Sequence, residues 1–103
     1  MGYDQMCPLY ERAVELLGKK WTGLILRVLL HGPKRFGEFR SQVEELSDRV
    51  LSERLRELEE EGLVRRIVHH TKPVLIEYEL TEKGRAMEPV IQAIQSWAEV
   101  WVQ

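Results

Sequence analysis

Hydrophobic residues recur every three or four positions along most of this chain, which is the spacing of amphipathic helices. The first run begins at Pro8, a residue that suits the first turn of a helix, and ends at Gly18. The second begins near Lys20 and ends where Gly32 and Pro33 interrupt it. The apolar positions of the two runs are Leu9, Ala13, Leu16 and Leu17, then Trp21, Leu24, Ile25, Val28 and Leu29.

The middle of the chain predicts two short helices separated by a turn at residues 44–46. Lys34 to Phe36 can form no more than an edge strand, and the third helix follows it with Phe36, Phe39 and Val43 as its apolar positions. Ser47 is a suitable N-cap for a fourth helix over residues 48–61, which Gly62 ends. The inward stripe of this fourth helix consists of Leu51, Leu55 and Leu58.

Alternation of polar and apolar residues replaces the helical spacing after Gly62. Residues 63–69 and 75–80 predict two strands, joined at a polar hairpin tip over residues 70–73. Helical spacing then returns in a long final helix over about residues 82–103, where Pro89 predicts a kink or a fresh helix start. The order predicts a mostly helical α+β fold, a winged helix-turn-helix, as a single domain over residues 1–103.

The outward face of the fourth helix carries the chemistry of base recognition. Its residues are Arg49, Ser52, Glu53 and Arg56, opposite the leucine stripe. Arginine binds guanine with two hydrogen bonds, glutamate accepts from cytosine, and serine reaches bases or phosphates. We therefore expect this helix to enter the major groove of double-stranded DNA with its N-terminal half, because four glutamates near its C-terminus would be repelled by phosphate.

Charge is distributed unevenly, although the 103 residues carry a net charge of only −2. Six of the seven charged residues between positions 19 and 40 are basic, whereas acids dominate positions 41–63. A weakly acidic protein can thus present a basic face, with an affinity for DNA that depends strongly on salt. The predicted DNA contacts outside the outward face are Lys34, Arg35, Arg40 and Ser47 near the fourth helix and His70 and Lys72 on the wing.

The first and last helices predict a homodimer. A domain of this size has little core with which to cover so many apolar residues on its own. We expect a DNA-binding core over about residues 20–81 and dimerisation helices over about 8–17 and 82–102. The predicted interface comprises Leu9, Tyr10 and Val14 in the first helix and Val90, Ile91, Ile94, Trp97 and Trp101 in the last.

Cys7 is the single cysteine of the chain and precedes Pro8. Its sulfur is expected near a helix N-terminus, where unpaired N–H groups and the helix dipole favour the reactive thiolate, with Arg12 or Lys19 as further positive charges. A half-buried, unreactive cysteine is the alternative. The chain has one cysteine, and residues 1–6 lack the pattern of a signal peptide. It also lacks an apolar stretch long enough to span a membrane, and together these features predict a cytoplasmic protein.

Several blocks of sequence, in order and at the right spacing, resemble the HxlR-type winged-helix regulators, which are related to the MarR group. The blocks are CP at 7–8, GKKW at 18–21, LIL at 24–26, GPKRF at 32–36, FR at 39–40, LSERLRELE at 51–59, GLV at 62–64 and EYELTEKG at 77–84. The resemblance implies a bacterial or archaeal homodimer that binds a pseudo-palindromic operator. It also implies that Cys7 senses electrophiles or oxidants; no second cysteine is present, so a Cys7–Cys7′ bond, a mixed disulfide or alkylation remain open.

Other functions have less support in the sequence. His69 and His70 are adjacent on a strand and point to opposite faces, so we expect no metal site and no other cofactor. A thiol enzyme lacks a partner for Cys7, and we expect neither catalytic residues nor enzymatic activity. Two alternatives stay open: a winged helix that binds protein, favoured by the acidic net charge, and a regulator that senses a small ligand.

Overall fold

The computed structural model describes residues 7–102, and its secondary structure follows the predicted order. The elements are helices α1 (Pro8–Leu17), α2 (Thr22–Leu29), α3 (Phe36–Gln42) and α4 (Asp48–Glu60), strands β1 (Val64–His69) and β2 (Leu75–Leu80), and helices α5 (Glu82–Arg85) and α6 (Glu88–Trp101). The winged helix-turn-helix prediction is confirmed: α3 and α4 form the helix-turn-helix and the hairpin of β1 and β2 forms the wing.

Local signals set the ends of these elements. Pro8 lies in the first turn of α1, and the Ser47 hydroxyl accepts a hydrogen bond from the Val50 N–H at 3.2 Å, so the predicted cap of α4 is confirmed. Gly62 adopts a φ of +80° after α4, a conformation that glycine tolerates better than other residues. Pro89 lies in the first turn of α6, and thus marks a fresh helix start rather than a kink.

The wing is a regular antiparallel hairpin that pairs Val64 with Leu80 at its base and His69 with Leu75 near its tip. Lys34 adds a one-residue edge to it, because its N–H donates to the Tyr78 carbonyl at 2.9 Å and its carbonyl accepts from the Tyr78 N–H at 2.8 Å. The edge strand predicted before α3 is therefore present in minimal form, and it ties α3 to the wing.

One hydrophobic core lies between α2, α3, α4 and the base of the hairpin. Its centre is the leucine stripe of α4, which is buried as predicted. The buried apolar residues are Ile25, Leu26, Val28, Leu29, Phe39, Val43, Leu46, Leu51, Leu55, Leu58, Leu63, Val64, Leu80 and Ile91. Short α5 packs tightly on this core, since a Cβ built on Gly84 would collide with the Leu63 carbonyl oxygen.

The two flanking helices contribute little to that core. Helix α1 buries none of its residues, and α6 buries only Ile91. The Cα radius of gyration is 15.4 Å, larger than the roughly 13 Å of a compact chain of this length, because these helices extend from the core. Within residues 7–102, no helix is both long enough and apolar enough to cross a bilayer.

Candidate nucleic-acid interface

The outward face of α4 (Arg49, Ser52, Glu53 and Arg56) lies opposite the buried leucines. Arg49, Ser52 and Arg56 are exposed, and the side chain of Arg49 is 86% accessible to solvent. Glu53 is less exposed, and its Oε1 lies 3.3 Å from the Arg49 Nε one turn earlier. This ion pair leaves both terminal amino groups of Arg49 available to an acceptor. The leucine contacts fix the helix, and its polar face points to solvent.

A second ion pair connects the two helices of the helix-turn-helix. The Arg40 guanidinium, near the end of α3, lies 3.0 Å from the carboxylate of Asp48 in the first turn of α4. Arg40 is thus placed beside the N-terminal half of α4, as a phosphate contact there requires. Among residues 7–102, Arg56 forms no ion pair, so its charge is not offset within that part of the chain.

Three predicted contact residues also have structural roles. Ser47 caps α4 through its oxygen, which leaves its hydroxyl proton for another acceptor. The Lys34 Nζ donates to the Gly32 carbonyl at 3.3 Å, and Lys34 is half-buried. Arg35 is exposed and precedes α3; its backbone N–H donates to the Glu38 carboxylate at 2.8 Å, and this hydrogen bond lowers the pKa of Glu38.

The tip of the wing is exposed and carries both predicted residues, His70 and Lys72. The preceding His69 lies on the strand, with its Nε2 at 2.8 Å from the Glu77 carboxylate on the neighbouring strand. Within residues 7–102, no three histidine, cysteine, aspartate or glutamate side chains cluster as metal ligands. The hairpin therefore presents an imidazole and an amine at its end, beyond the paired strands.

The C-terminal half of α4 contacts α1 and the segment after it. Arg12 donates to both carboxylate oxygens of Glu61 at 3.0 and 3.1 Å, and the Lys19 Nζ lies 2.9 Å from the Glu57 carboxylate. Arg54 also pairs with Glu57 at 3.2 Å, as its spacing of three residues predicts. Apart from the Arg54–Glu57 pair, sequence reasoning assigned these acids to repulsion of phosphate. It missed Arg12 and Lys19 as partners because 49 and 38 residues separate the paired positions.

Cys7 is the exposed N-cap residue of α1, which confirms its predicted position at a helix N-terminus. Its carbonyl accepts from the Glu11 N–H at 2.9 Å, whereas its side chain makes no capping hydrogen bond. Arg12 and Lys19, the two cations expected to favour the thiolate, are each paired with a carboxylate at the C-terminal end of α4.

The flanking helices expose most of the predicted dimer interface. Leu9 is 81% exposed, Trp97 61% and Trp101 69%, and Tyr10, Val14, Val90 and Ile94 are exposed as well. Ile91 corrects the prediction: it is only 8% exposed and packs in the core of its own chain, since it lies on the side of α6 that faces α2. Three of the predicted α6 residues line an open apolar groove of about 540 Å³, which is formed by Pro89, Val90, Ala93, Ile94 and Trp97.

This chain is similar to known proteins over most of its length. The model of the HxlR-like helix-turn-helix family matches residues 16–103. The uncharacterized HTH-type transcriptional regulator YvaP of Bacillus subtilis is 49% identical over 102 residues, covering 99% of this chain and 94% of that protein.

Solved structures of two proteins are also similar over nearly the whole chain. The reduced form of the B. subtilis regulator YodB has a TM-score of 0.86 at 46% identity, covering 96% of this chain and 97% of that one, and its quinone-bound form has a TM-score of 0.81. The redox regulator HypR in its oxidized form has a TM-score of 0.87 at 39% identity, covering 94% and 99%. The fold, the family match and these identities together show that this chain belongs to the HxlR-like helix-turn-helix family of transcriptional regulators.

Proposed function

We propose that this regulator is a cytoplasmic homodimeric repressor that inserts two copies of α4 into successive major grooves of a pseudo-palindromic operator. The observation that carries the proposal is the division of α4 into a fully buried leucine stripe and an exposed face with Arg49, Ser52 and Arg56. A helix held rigidly on one side and polar on the other suits base recognition. The surrounding contacts with DNA come from residues near α4 and on the wing, namely Lys34, Arg35, Arg40, Ser47, His70 and Lys72.

The exposed apolar surface of α1 and α6 supports the dimer. Leu9, Tyr10 and Val14 form one apolar side of α1, and the exposed apolar residues of α6 cover a broad arc of that helix. Apolar surface on this scale, next to a core that is complete without it, is typical of an interface. A second copy of this chain offers a complementary surface, because a two-fold axis brings identical patches together.

Removing the two arginines of the outward face tests base recognition. We expect Arg49→Ala/Arg56→Ala to weaken binding to a duplex selected by the wild-type protein at least about a hundredfold, since each good bidentate contact contributes roughly 1–3 kcal/mol. Fluorescence anisotropy measures this loss. Arg85→Ala is the control: it removes one positive charge, half of what the double variant loses, from α5, which lies beside the C-terminal end of α4 through the Lys83 contact to the Glu61 carbonyl.

A salt titration separates this proposal from a winged helix that binds protein. Contacts from several cations predict a steep fall of affinity with salt, and Arg40→Gln should lower the slope by about two per dimer. Unchanged duplex affinity in the double arginine variant, or a flat salt dependence, would favour the protein-binding alternative.

We also propose that electrophiles or oxidants regulate the protein through Cys7. The thiol is exposed at the start of α1, a helix that the proposed dimer covers, so an adduct there alters the contact between subunits. With a quinone, the sulfur forms a C–S bond to a ring carbon, and the thiol proton goes to one ring oxygen. The hydrogen of the attacked carbon moves to the other oxygen, which yields the hydroquinone adduct. A quinone-bound form of the relative YodB and an oxidized form of the redox regulator HypR support the proposal.

Cys7→Ser tests the response. We expect wild type to gain the mass of one benzoquinone per chain and to release DNA, whereas Cys7→Ser binds DNA equally well and ignores the reagent. Intact-mass spectrometry and anisotropy on the same samples give both readouts. A serine variant that still loses DNA on treatment contradicts the role of Cys7, and a wild type that is modified without releasing DNA favours a small ligand as the signal.

A further inference from the structure

We infer that Glu57 and Glu61 at the C-terminal end of α4 are positioning residues, which fix the angle between the recognition helix and the dimerisation helix through Lys19 and Arg12. The inference rests on the proposed function, since it assigns α4 to DNA and α1 to the dimer. The acidic half of α4 then holds the dimerisation helix while the basic half of α4 reads DNA.

Two contacts join the C-terminal end of α4 to α1 and to the turn that follows it. Arg12 lies in α1 and Lys19 lies two residues after its end, with half-buried Leu16 between them in sequence. Glu57 lies in the last turn of α4 and Glu61, four residues later, is the C-cap residue of that helix. The Arg12 Nη2 donates to both carboxylate oxygens of Glu61 and the Lys19–Glu57 distance is 2.9 Å, so the two segments are held together at two points.

Further hydrogen bonds anchor the network to both neighbouring segments. The Arg54 Nε donates to the Lys20 carbonyl at 2.9 Å, and its side chain is only 18% exposed. The Lys83 amine donates to the Glu61 carbonyl from α5. The hydrogen bond from Lys19 also lowers the pKa of Glu57, which shows that its carboxylate is stabilised in the charged form. The end of α4 is thus tied to α1, to the segment before α2 and to α5.

Little else holds α1 at a fixed angle to its own subunit. No residue of α1 is buried, and only Leu16 and Leu17 in its last turn pack against the core. Arg12 extends the attachment one turn toward Cys7. Single exposed ion pairs are weak, but an orientation that depends on few other contacts responds to small energies. The spacing of the two recognition helices in a dimer therefore depends on these pairs.

Spacing-altered DNA tests this inference. The main probe is a two-fold symmetric duplex that the wild-type protein selects from random sequence. Two further probes are a single half-site and a duplex with two extra base pairs between the half-sites, which turn one half-site by about 70° relative to the other. We expect Arg12→Gln and Glu61→Gln to reduce the preference for the selected spacing about two- to fivefold while half-site affinity is kept. The exchange Arg12→Glu/Glu61→Arg should restore the preference.

Glu60→Gln is the matched control. Glu60 lines the cleft between α1 and the end of α4, together with Arg12, Lys19, Glu57 and Glu61, yet it forms no ion pair within residues 7–102. It removes the same charge and should leave the spacing preference unchanged. An unaltered preference in Arg12→Gln and Glu61→Gln, or an equal change in Glu60→Gln, would overturn the inference.

A second measurement does not need DNA. Spin labels at Ser52→Cys, in the Cys7→Ser background, report the distance between the two α4 helices of a dimer. We expect one narrow distance distribution, which broadens in Arg12→Gln and Glu61→Gln; an equally narrow distribution in these variants overturns the inference. Failure of the wild type to select any duplex would instead contradict the proposed function, so the two failures are distinguishable.

Discussion

The winged-helix core and the two flanking helices use the same sequence pattern to different ends. In the core, the stripe of α4 is buried to within a few per cent, and α2, α3 and the hairpin cover it completely. In α1 and α6, residues at the same helical spacing remain largely exposed. Amphipathic spacing therefore identifies the apolar side of a helix but not whether its own chain or a second copy covers that side.

The comparison separates two kinds of stability. The core is complete within one chain, so its residues should affect unfolding whatever the protein concentration. The flanking helices, in our proposal, gain their stability by association, which depends on concentration. Substitutions in the two regions should thus differ in the kind of measurement they change.

The largest effect is expected for Leu55→Ala in the core. Leu55 is 1% exposed in the middle of α4, and truncation of such a leucine leaves a cavity that costs about 2–5 kcal/mol of unfolding free energy. Urea denaturation followed by circular dichroism measures this loss, and we expect it to be the same at every protein concentration. If the loss of unfolding free energy vanishes at high protein concentration, Leu55 lies in the interface, and the distinction between the core and the flanking helices fails.

The second effect is expected for Trp97→Ala on α6. The side chain is 61% exposed in one chain and lines the apolar groove, so its loss should weaken dimerisation by about 2–4 kcal/mol. Dilution experiments with a fluorescently labelled chain measure the dissociation constant. Gln92→Ala, on the polar side of the same helix, is the control and should leave the dissociation constant of the dimer unchanged. If the Trp97→Ala dimer is as tight as the wild-type dimer, α6 does not form this interface.

The smallest effect is expected at the junction between the two regions, where Glu57 holds Lys19. The pKa of Glu57 is lowered below 4.5 by the hydrogen bond from Lys19, so its stabilising contribution is present above that pH and is lost as the pH falls through the lowered value. Glu57→Gln should therefore cost less than about 1 kcal/mol at neutral pH. Acid denaturation should show that the unfolding free energies of wild type and Glu57→Gln converge well below pH 4.5. A difference that stays constant with pH would contradict the stabilising role of the Glu57 carboxylate.

Most elements of the fold could be predicted because their signals are local. Ser47, Gly62 and Pro89 act within one turn of the backbone, and each ends or starts an element where the sequence indicates. The outward face of α4 follows from helical spacing alone once Leu51 and Leu55 are assigned to the core.

Contacts between distant segments could not be predicted in the same way. Ile91 has the same spacing as Ile94, and only the position of α2 decides that the first is buried and the second exposed. The pairs of Arg12 and Lys19 with α4 depend on how α1 lies across that helix. No local signal shows that residue 84 must be glycine either. Glycine is required there because the Leu63 carbonyl oxygen, in another segment, leaves no room for a Cβ.

The mass of the native protein in solution tests the central claim most directly, because every role proposed for α1 and α6 requires two chains. Sedimentation equilibrium at micromolar concentration should give about 24 kDa, twice the 12.1 kDa of one chain. A species of 12.1 kDa that still binds the selected duplex tightly would contradict the account.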